Sequence, residues 1–186
     1  SYEVEASEQR VPFDRGVLAV GGVLGLIPNS RFLGEPADGP TVVKSLGHQV
    51  FVEHEFNERW KLQSGVSYRD SELKGASSEA SALQADGRTV RRQHRSRDYN
   101  AIDASGRVEV VGKFDTGPVT NNVLVGVDAY KFNDRRIQLR RNPSAAFPYA
   151  IDIYNPVYGG VSDVMTMSIN TKEEQRAHAV YAQDQI

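Results

Sequence analysis

Nine arginines fall in two short stretches: Arg88, Arg91, Arg92, Arg95 and Arg97, with His94 among them, and then Arg135, Arg136, Arg140 and Arg141. A guanidinium fork binds phosphate or carboxylate in bidentate fashion, so each stretch is a candidate anion-binding surface. A solvated basic face is the competing reading. No aromatic interleaving accompanies the arginines, which argues against nucleic acid as the partner. His48 and His54 share a strand face, but at ~3.3 Å per residue they stand about 20 Å apart, too far to ligate one ion. Gly21-Gly22-Val23-Leu24-Gly25 lacks the following helix that a dinucleotide fingerprint requires. Nothing places Ser, His and Asp as a triad. No catalytic residue, metal ligand or cofactor is therefore expected.

The elements that would position these residues are strands. From Asn100 to Phe114 the even positions are mostly small or apolar (Ile102, Ala104, Gly106, Val108, Val110, Gly112), while the odd ones carry Asp103, Arg107, Glu109 and Lys113. That is the period-2 pattern of a strand with one oily and one wet side. Asp115-Thr116-Gly117-Pro118 supplies turn chemistry, and Thr120 to Phe132 resumes the alternation. Each of these strands exceeds the ~9–11 residues that a tilted transmembrane strand needs. Similar patterns run from about Lys44 to Phe56 and from Trp60 to about Asp70. Tyr2 to about Ala6 reads as a strand tail, and a last strand starts near Glu173. Both ends of the chain read as cuts through strands.

Three long connections are expected, over roughly 7–43, 71–97 and 133–172, against turns of ~3–5 residues at the other end. Loops so long are uncommon inside compact domains. A short/long alternation is the asymmetry of a membrane barrel. Phe56, Trp60 and Phe114 sit on the apolar parity beside the short turns, where an interfacial girdle would lie, and Tyr68 fits at the far end. Tyr99 and Tyr130 have the opposite parity and point to a lumen. The loops add Phe13, Phe32, Phe147, Tyr149, Tyr154 and Tyr158, flat amphipathic side chains suited either to lining a vestibule or to packing loop on loop.

Composition is compatible with this. Hydrophobic residues make up 39 % of the 186 and charged residues 25 %, with a formal net charge of −2 and no cysteine. No apolar run approaches the ~20 residues of a membrane helix, which leaves barrel strands open. The rival is a soluble β-sandwich ligand- or carbohydrate-binding module.

The text of the chain also resembles a family. Pro12-Phe13-Asp14-Arg15-Gly16, Gly25-Leu26-Ile27-Pro28 and Arg31-Phe32-Leu33-Gly34-Glu35-Pro36 are similar to outer loops of TonB-dependent siderophore receptors. So are Leu124-Val125-Gly126-Val127-Asp128, Asn155-Pro156-Val157-Tyr158-Gly159 and Tyr181-Ala182-Gln183-Asp184-Gln185. The resemblance implies an all-β antiparallel meander of about six long strands, part of a 22-stranded barrel in a bacterial outer membrane. Residues 1–186 would be a partial barrel segment, with the plug domain and remaining strands absent. It implies ferric siderophores as ligands, iron held by the chelate, the TonB complex as a partner through the missing plug, and outer-membrane lipid and lipopolysaccharide as surroundings. The expected ligand-binding residues, all assigned to external loops, are Phe13, Arg15, Arg31, Phe32, Arg91, Arg92, Arg95, Arg97, Arg135, Arg136, Tyr149 and Tyr158.

Overall fold

Alternating side chains dictate a sheet with two unlike faces, and a computed structural model, which describes residues 1–160 and 164–186, has that form. Its strands are β1 (Tyr2–Pro12), β2 (Pro40–Asn57), β3 (Trp60–Leu83), β4 (Thr89–Thr116), β5 (Val119–Arg141), the short β6 (Ile151–Asp152) and β7 (Thr166–Gln185). All neighbours are antiparallel in the order β1-β2-β3-β4-β5-β7, and β6 pairs with the far end of β4. β1 and β7 have one partner strand each, so the sheet does not close on itself. Among the described residues no second sheet covers either face, which removes the sandwich. No described helix is long and apolar enough to cross a membrane.

Register fixes which residues share a face. One rung runs Val52–Ser64–Val108–Val127–Val180, and the next Leu62–Val110–Val125–Ala182. Val52 is 52 % exposed and Val108 43 %, unusual for valines in the middle of a sheet. The opposite face carries Glu3, Gln49, Ser67, Ser105 and Tyr130 in one rung. Its polar groups bond across strands: Ser67 Oγ to Ser105 Oγ at 2.7 Å, Gln63 Nε2 donating to Glu53 at 2.6 Å, and Tyr181 donating its hydroxyl proton to Glu109 at 2.8 Å. Tyr99 and Tyr130 lie on this polar parity, as their positions in the alternation imply.

Two glycines are demanded by cross-strand neighbours. The Trp60 indole lies over Gly112, and the Tyr181 ring lies over Gly126; a Cβ at either position would overlap ring atoms. Gly112 thereby lets the Trp60 indole lie against β4 at the short-turn end.

The strands are much longer than the alternation suggests. β3 has 24 residues and β4 has 28, about 80 and 90 Å of extended chain. The expected second loop over 71–97 is instead a continuation of this hairpin, paired from Leu73↔Tyr99 to Leu83↔Val90 with a bulge between Ala80 and Ala82. Its turn occupies 84–88, where Asp86 accepts the backbone N–H groups of Arg88 and Thr89 and the Thr89 hydroxyl. These bonds hold the Asp86 carboxyl down at about 2. The third connection likewise shrinks, because β5 continues to Arg141 and β7 begins at Thr166. Its residues 161–163 lie outside the described residues. The first connection is the long loop expected, although β1 extends to Pro12.

The packed core lies at the end of the sheet remote from the short turns. Ile27, Leu33, Val90, Ile151 and Ile153 are buried together, with Val17, Leu18, Val20, Ala80 and Leu83 packed around them. Two connections and one hairpin tip thus share a small hydrophobic core, here termed the cap.

Candidate functional site

The arginines expected in loops lie mostly in strands. Arg91, Arg92, Arg95 and Arg97 belong to β4, and Arg135 and Arg136 to β5. The backbone ladder continues past the alternating zone, so polar sequence alone did not end the strands. The consequence is that neighbouring arginines point to opposite faces and do different work.

Arg92 is 1 % exposed. Its Nε donates to the Tyr149 carbonyl at 3.0 Å and its Nη1 to the Gly34 carbonyl at 2.6 Å; Glu35 Oε2 lies 3.4 Å from its Nη2. The same Glu35 oxygen accepts the Gly159 N–H at 2.9 Å. Tyr158 donates to the Phe32 carbonyl at 2.9 Å, and the two rings lie 6.5 Å apart. One guanidinium therefore ties the first connection, the third connection and β4 together. A buried cation whose donors are spent on carbonyls and a carboxylate is a structural latch, and it is withdrawn from the ligand-binding set. Tyr149, buried against the latch, holds the left-handed backbone conformation with φ 44°, costly for a residue with a side chain.

Arg95 and Arg97 project on the other parity. With Arg15 of the first connection they surround Glu79 of β3. Arg15 Nε is 2.7 Å and Arg95 Nη1 3.6 Å from Oε2, and Arg97 pairs with Oε1. Ser77 donates to Glu79 at 2.8 Å and accepts from Arg97 at 2.7 Å. The Phe13 ring lies 4.4 Å from the Arg97 guanidinium carbon and 5.7 Å from that of Arg15, a cation–π sandwich. Burial pushes the Glu79 carboxyl up, but hydrogen bonds from Arg97 and Ser77 and the nearby guanidinium charges outweigh it, leaving it below the ordinary glutamate range. Burial also lowers Arg95, reinforced by the charges of Arg97, Arg15 and Arg140 and opposed by Glu79. Three cations against one carboxylate leave a positive surplus beside an aromatic ring, and Arg15 keeps more than half its side chain exposed.

The other expected residues do not join this cluster. Arg31 donates its backbone N–H to Pro28 in a turn. Arg91 is half-buried in β4. Arg136 stacks over Tyr99 at 6.0 Å and pairs with Asp134 at 2.7 Å, whereas Arg135 points to the opposite face. Sequence reasoning missed the counter-charges Glu35 and Glu79. Glu79 stands among Ser and Ala with no apolar rhythm, and only the hairpin register opposite Gln93 brings it within reach of Arg95 and Arg97.

No protein-family model matches the chain. Curated relatives do. The metal-pseudopaline receptor CntO of Pseudomonas aeruginosa PAO1 is 38 % identical over 184 residues, covering 99 % of this chain and 26 % of that receptor. The ferrioxamine B receptor of Salmonella typhimurium is 26 % identical over 181 residues, covering 97 % of this chain and 24 % of the relative. The chain thus spans about a quarter of the length of the curated relatives it matches. Among solved structures, the siderophore receptor PiuA of Acinetobacter baumannii superposes with a TM-score of 0.75 at 11 % identity, over 98 % of this chain and 29 % of PiuA. The ferric-catecholate import receptor Fiu of E. coli K12, in its closed form, gives 0.75 at 15 % identity, over 98 % and 28 %. At such low identity these two establish the fold, a stretch of receptor barrel. The resemblance to TonB-dependent siderophore receptors is borne out by what the chain is similar to: its sequence relatives are a metal-pseudopaline receptor and a ferrioxamine B receptor, and the solved siderophore receptors carry the same barrel fold over the whole of this segment.

Proposed function

We propose that this chain forms part of the barrel wall and outer surface of an outer-membrane receptor that imports anionic metal chelates, ferric siderophores among them. The observation that carries the reading is the 38 % identity to the metal-pseudopaline receptor over 99 % of the chain. The two-faced sheet supports it: valines and the aromatic girdle would meet lipid, and the polar face would line the lumen. In this reading the cap stands outside the cell and the short turns face the periplasm. A plug, the strands needed for closure and coupling to TonB would come from the rest of the receptor.

Capture is assigned to Arg15, Arg95, Arg97 and Phe13, where surplus positive charge and an aromatic wall meet. A chelate carboxylate or phenolate would exchange with Glu79 for one or two guanidiniums. Iron or another metal stays inside the chelate. Arg31, Phe32, Arg91, Arg136 and Tyr158 would shape the surrounding wall, and Tyr149 would hold the latch.

The test is uptake of radiolabelled metal chelates by cells that carry the full-length receptor as their sole chelate importer. Arg15→Gln with Arg95→Gln should reduce capture at low chelate concentration by about tenfold, most strongly at low salt, because exposed charges act mainly on association. Uptake should vanish in a strain lacking TonB. Uptake independent of TonB, or unchanged by the double variant, would overturn the reading.

A further inference from the structure

The first connection touches both faces of the β3–β4 hairpin. On one face its Gly34 and Glu35 meet Arg92. On the opposite face its Arg15 meets Glu79, and its Phe13 ring lies over Arg97. Between these two contacts the chain crosses the hairpin tip, where Val20 comes within 3.9 Å of the point that a Cβ on Gly87 would occupy. Val17, Leu18 and Val20 pack on the buried cluster that contains Ile27, Leu33 and Val90. A single segment thus runs from the arginine cluster on one side to the latch on the other, with the small core between them.

Electrostatics alone would not assemble that arginine cluster. Arg95 and Arg97 already reach Glu79 from β4, and a third guanidinium is attracted by one carboxylate but repelled by two cations. Arg15 also has a loose local setting. Its side chain is 56 % exposed, and its turn is closed by Asp14 accepting the Gly16 N–H at 2.8 Å, with Gly16 at φ 74°. What holds Arg15 over Glu79 is therefore the packing of the residues that follow it. The latch closes that packing, since Arg92 ties Gly34 and Glu35 to Tyr149, and Glu35 Oε2 ties in Gly159. Removing either charge would leave the other buried and uncompensated, so the pair admits one arrangement of these segments.

We propose that Glu35 and Arg92 are positioning residues for chelate capture: the latch on one face of the hairpin holds Arg15 over Glu79 on the other. The proposal rests on the reading that Arg15 captures the chelate.

The experiment footprints the arginines of the full-length receptor in detergent with phenylglyoxal, a guanidinium reagent, and reads each site by peptide mass spectrometry. Glu35→Gln keeps the size of the side chain and removes its charge. It should raise the modification rate of Arg15 about tenfold, because unpairing a buried cation shifts the local balance between closed and open cap. Arg97, held from within the hairpin, should stay protected, and Arg59 at the short turns should keep its wild-type rate. Arg92→Lys, which keeps the charge but loses the fork, should give a smaller rise. A third connection made protease-sensitive while Arg15 keeps its wild-type rate would overturn the proposal. So would Arg15 and Arg97 rising in step in both variants. A cycle of uptake measurements ties position to capture. With ferric citrate as an anionic probe at low salt, Glu35→Gln should slow uptake several-fold by itself and add nothing to Arg15→Gln. Additive losses would overturn the proposal. Uptake that ignores Arg15→Gln while the footprint changes as expected would overturn the capture reading and leave the positioning of Arg15 standing.

Discussion

The two ends of β3 and β4 are one continuous pair of strands built by two different rules. Toward the short turns, from about Ile102 to Phe114, side chains alternate and no other described element covers the apolar face, where Val108 and Phe114 stand exposed. Toward the cap, from Thr89 to about Tyr99, the apolar/polar alternation of the sequence disappears and polar side chains are buried in pairs: Arg92 with Glu35, Arg97 with Glu79, His94 beside Asp38. The backbone ladder is the same in both regions. What changes is the solvent each face must satisfy, so hydrophobic pattern reports environment and ladder reports fold.

The sharpest way to break this comparison is to remove one member of a buried pair. Glu35→Ala strands the Arg92 guanidinium and should cost about 3–5 kcal/mol of cap stability, whereas adding Arg92→Met should recover part of it. Protease sensitivity of residues 13–39 and 142–160, followed through a denaturant titration, checks this. If the single variant is neutral, the latch is not what orders the cap. Close behind comes the cap core: Ile153→Ala, at a fully buried position, should cost about 2–5 kcal/mol and loosen the same segments.

In the alternating region the expected cost depends on face. Val108→Arg should destabilise the full-length barrel by about 2–4 kcal/mol in bilayers, and Lys113→Val on the polar face far less. Equal costs in a folding titration would contradict the assigned facing.

A smaller effect is pH-dependent. Glu79 is held below its ordinary range in the folded cap, so its contribution is fully present above the unfolded glutamate value near 4.3 and is lost as pH falls through the depressed folded value. The hydrogen-exchange protection factor of the β3–β4 tip, with the intrinsic pH dependence of amide exchange divided out, should fall in that acidic window and stay flat from about pH 5 upward. Glu79→Gln should abolish the acid dependence. Smallest of all, Lys61→Gln breaks only the exposed contact to Glu53 at 3.4 Å and should leave the melting temperature unmoved.

The alternating zone was legible in the sequence because the two faces of the sheet make opposite demands on successive residues. Six long strands and the apolar parity of Phe56, Trp60 and Phe114 followed from it, whereas the facing of the strands around 120–132 and 173–186, which completes the valine rungs, came only from the register. The outer hairpin was not legible: Ser77, Ser78, Glu79, Ala80 and Arg91 to Arg97 show no period 2, because polar groups there are satisfied by partners folding onto both faces. The arginine stretches were visible as chemistry but not as separate roles. Parity splits Arg92 from Arg95 and Arg97, yet only contacts with Gly34, Glu35 and Tyr149 from distant connections identify the latch. Those partners lie 57 or 58 residues away in the chain, beyond the reach of local pattern.

The most direct test of the account uses the absence of cysteine in these 186 residues. Single cysteines introduced one at a time from 89 to 114 in the full-length receptor, spin-labelled and placed in bilayers, report accessibility to oxygen dissolved in lipid and to a water-soluble nickel chelate. The account predicts a period-2 profile from about 102 to 114, with even positions exposed to oxygen and odd positions to the chelate. It predicts that oxygen access at even positions is lost between 89 and 99, where 90, 92 and 94 are buried against the cap. Oxygen access at even positions continuing to 90, or its absence around Val108, would contradict the division of one hairpin between two environments.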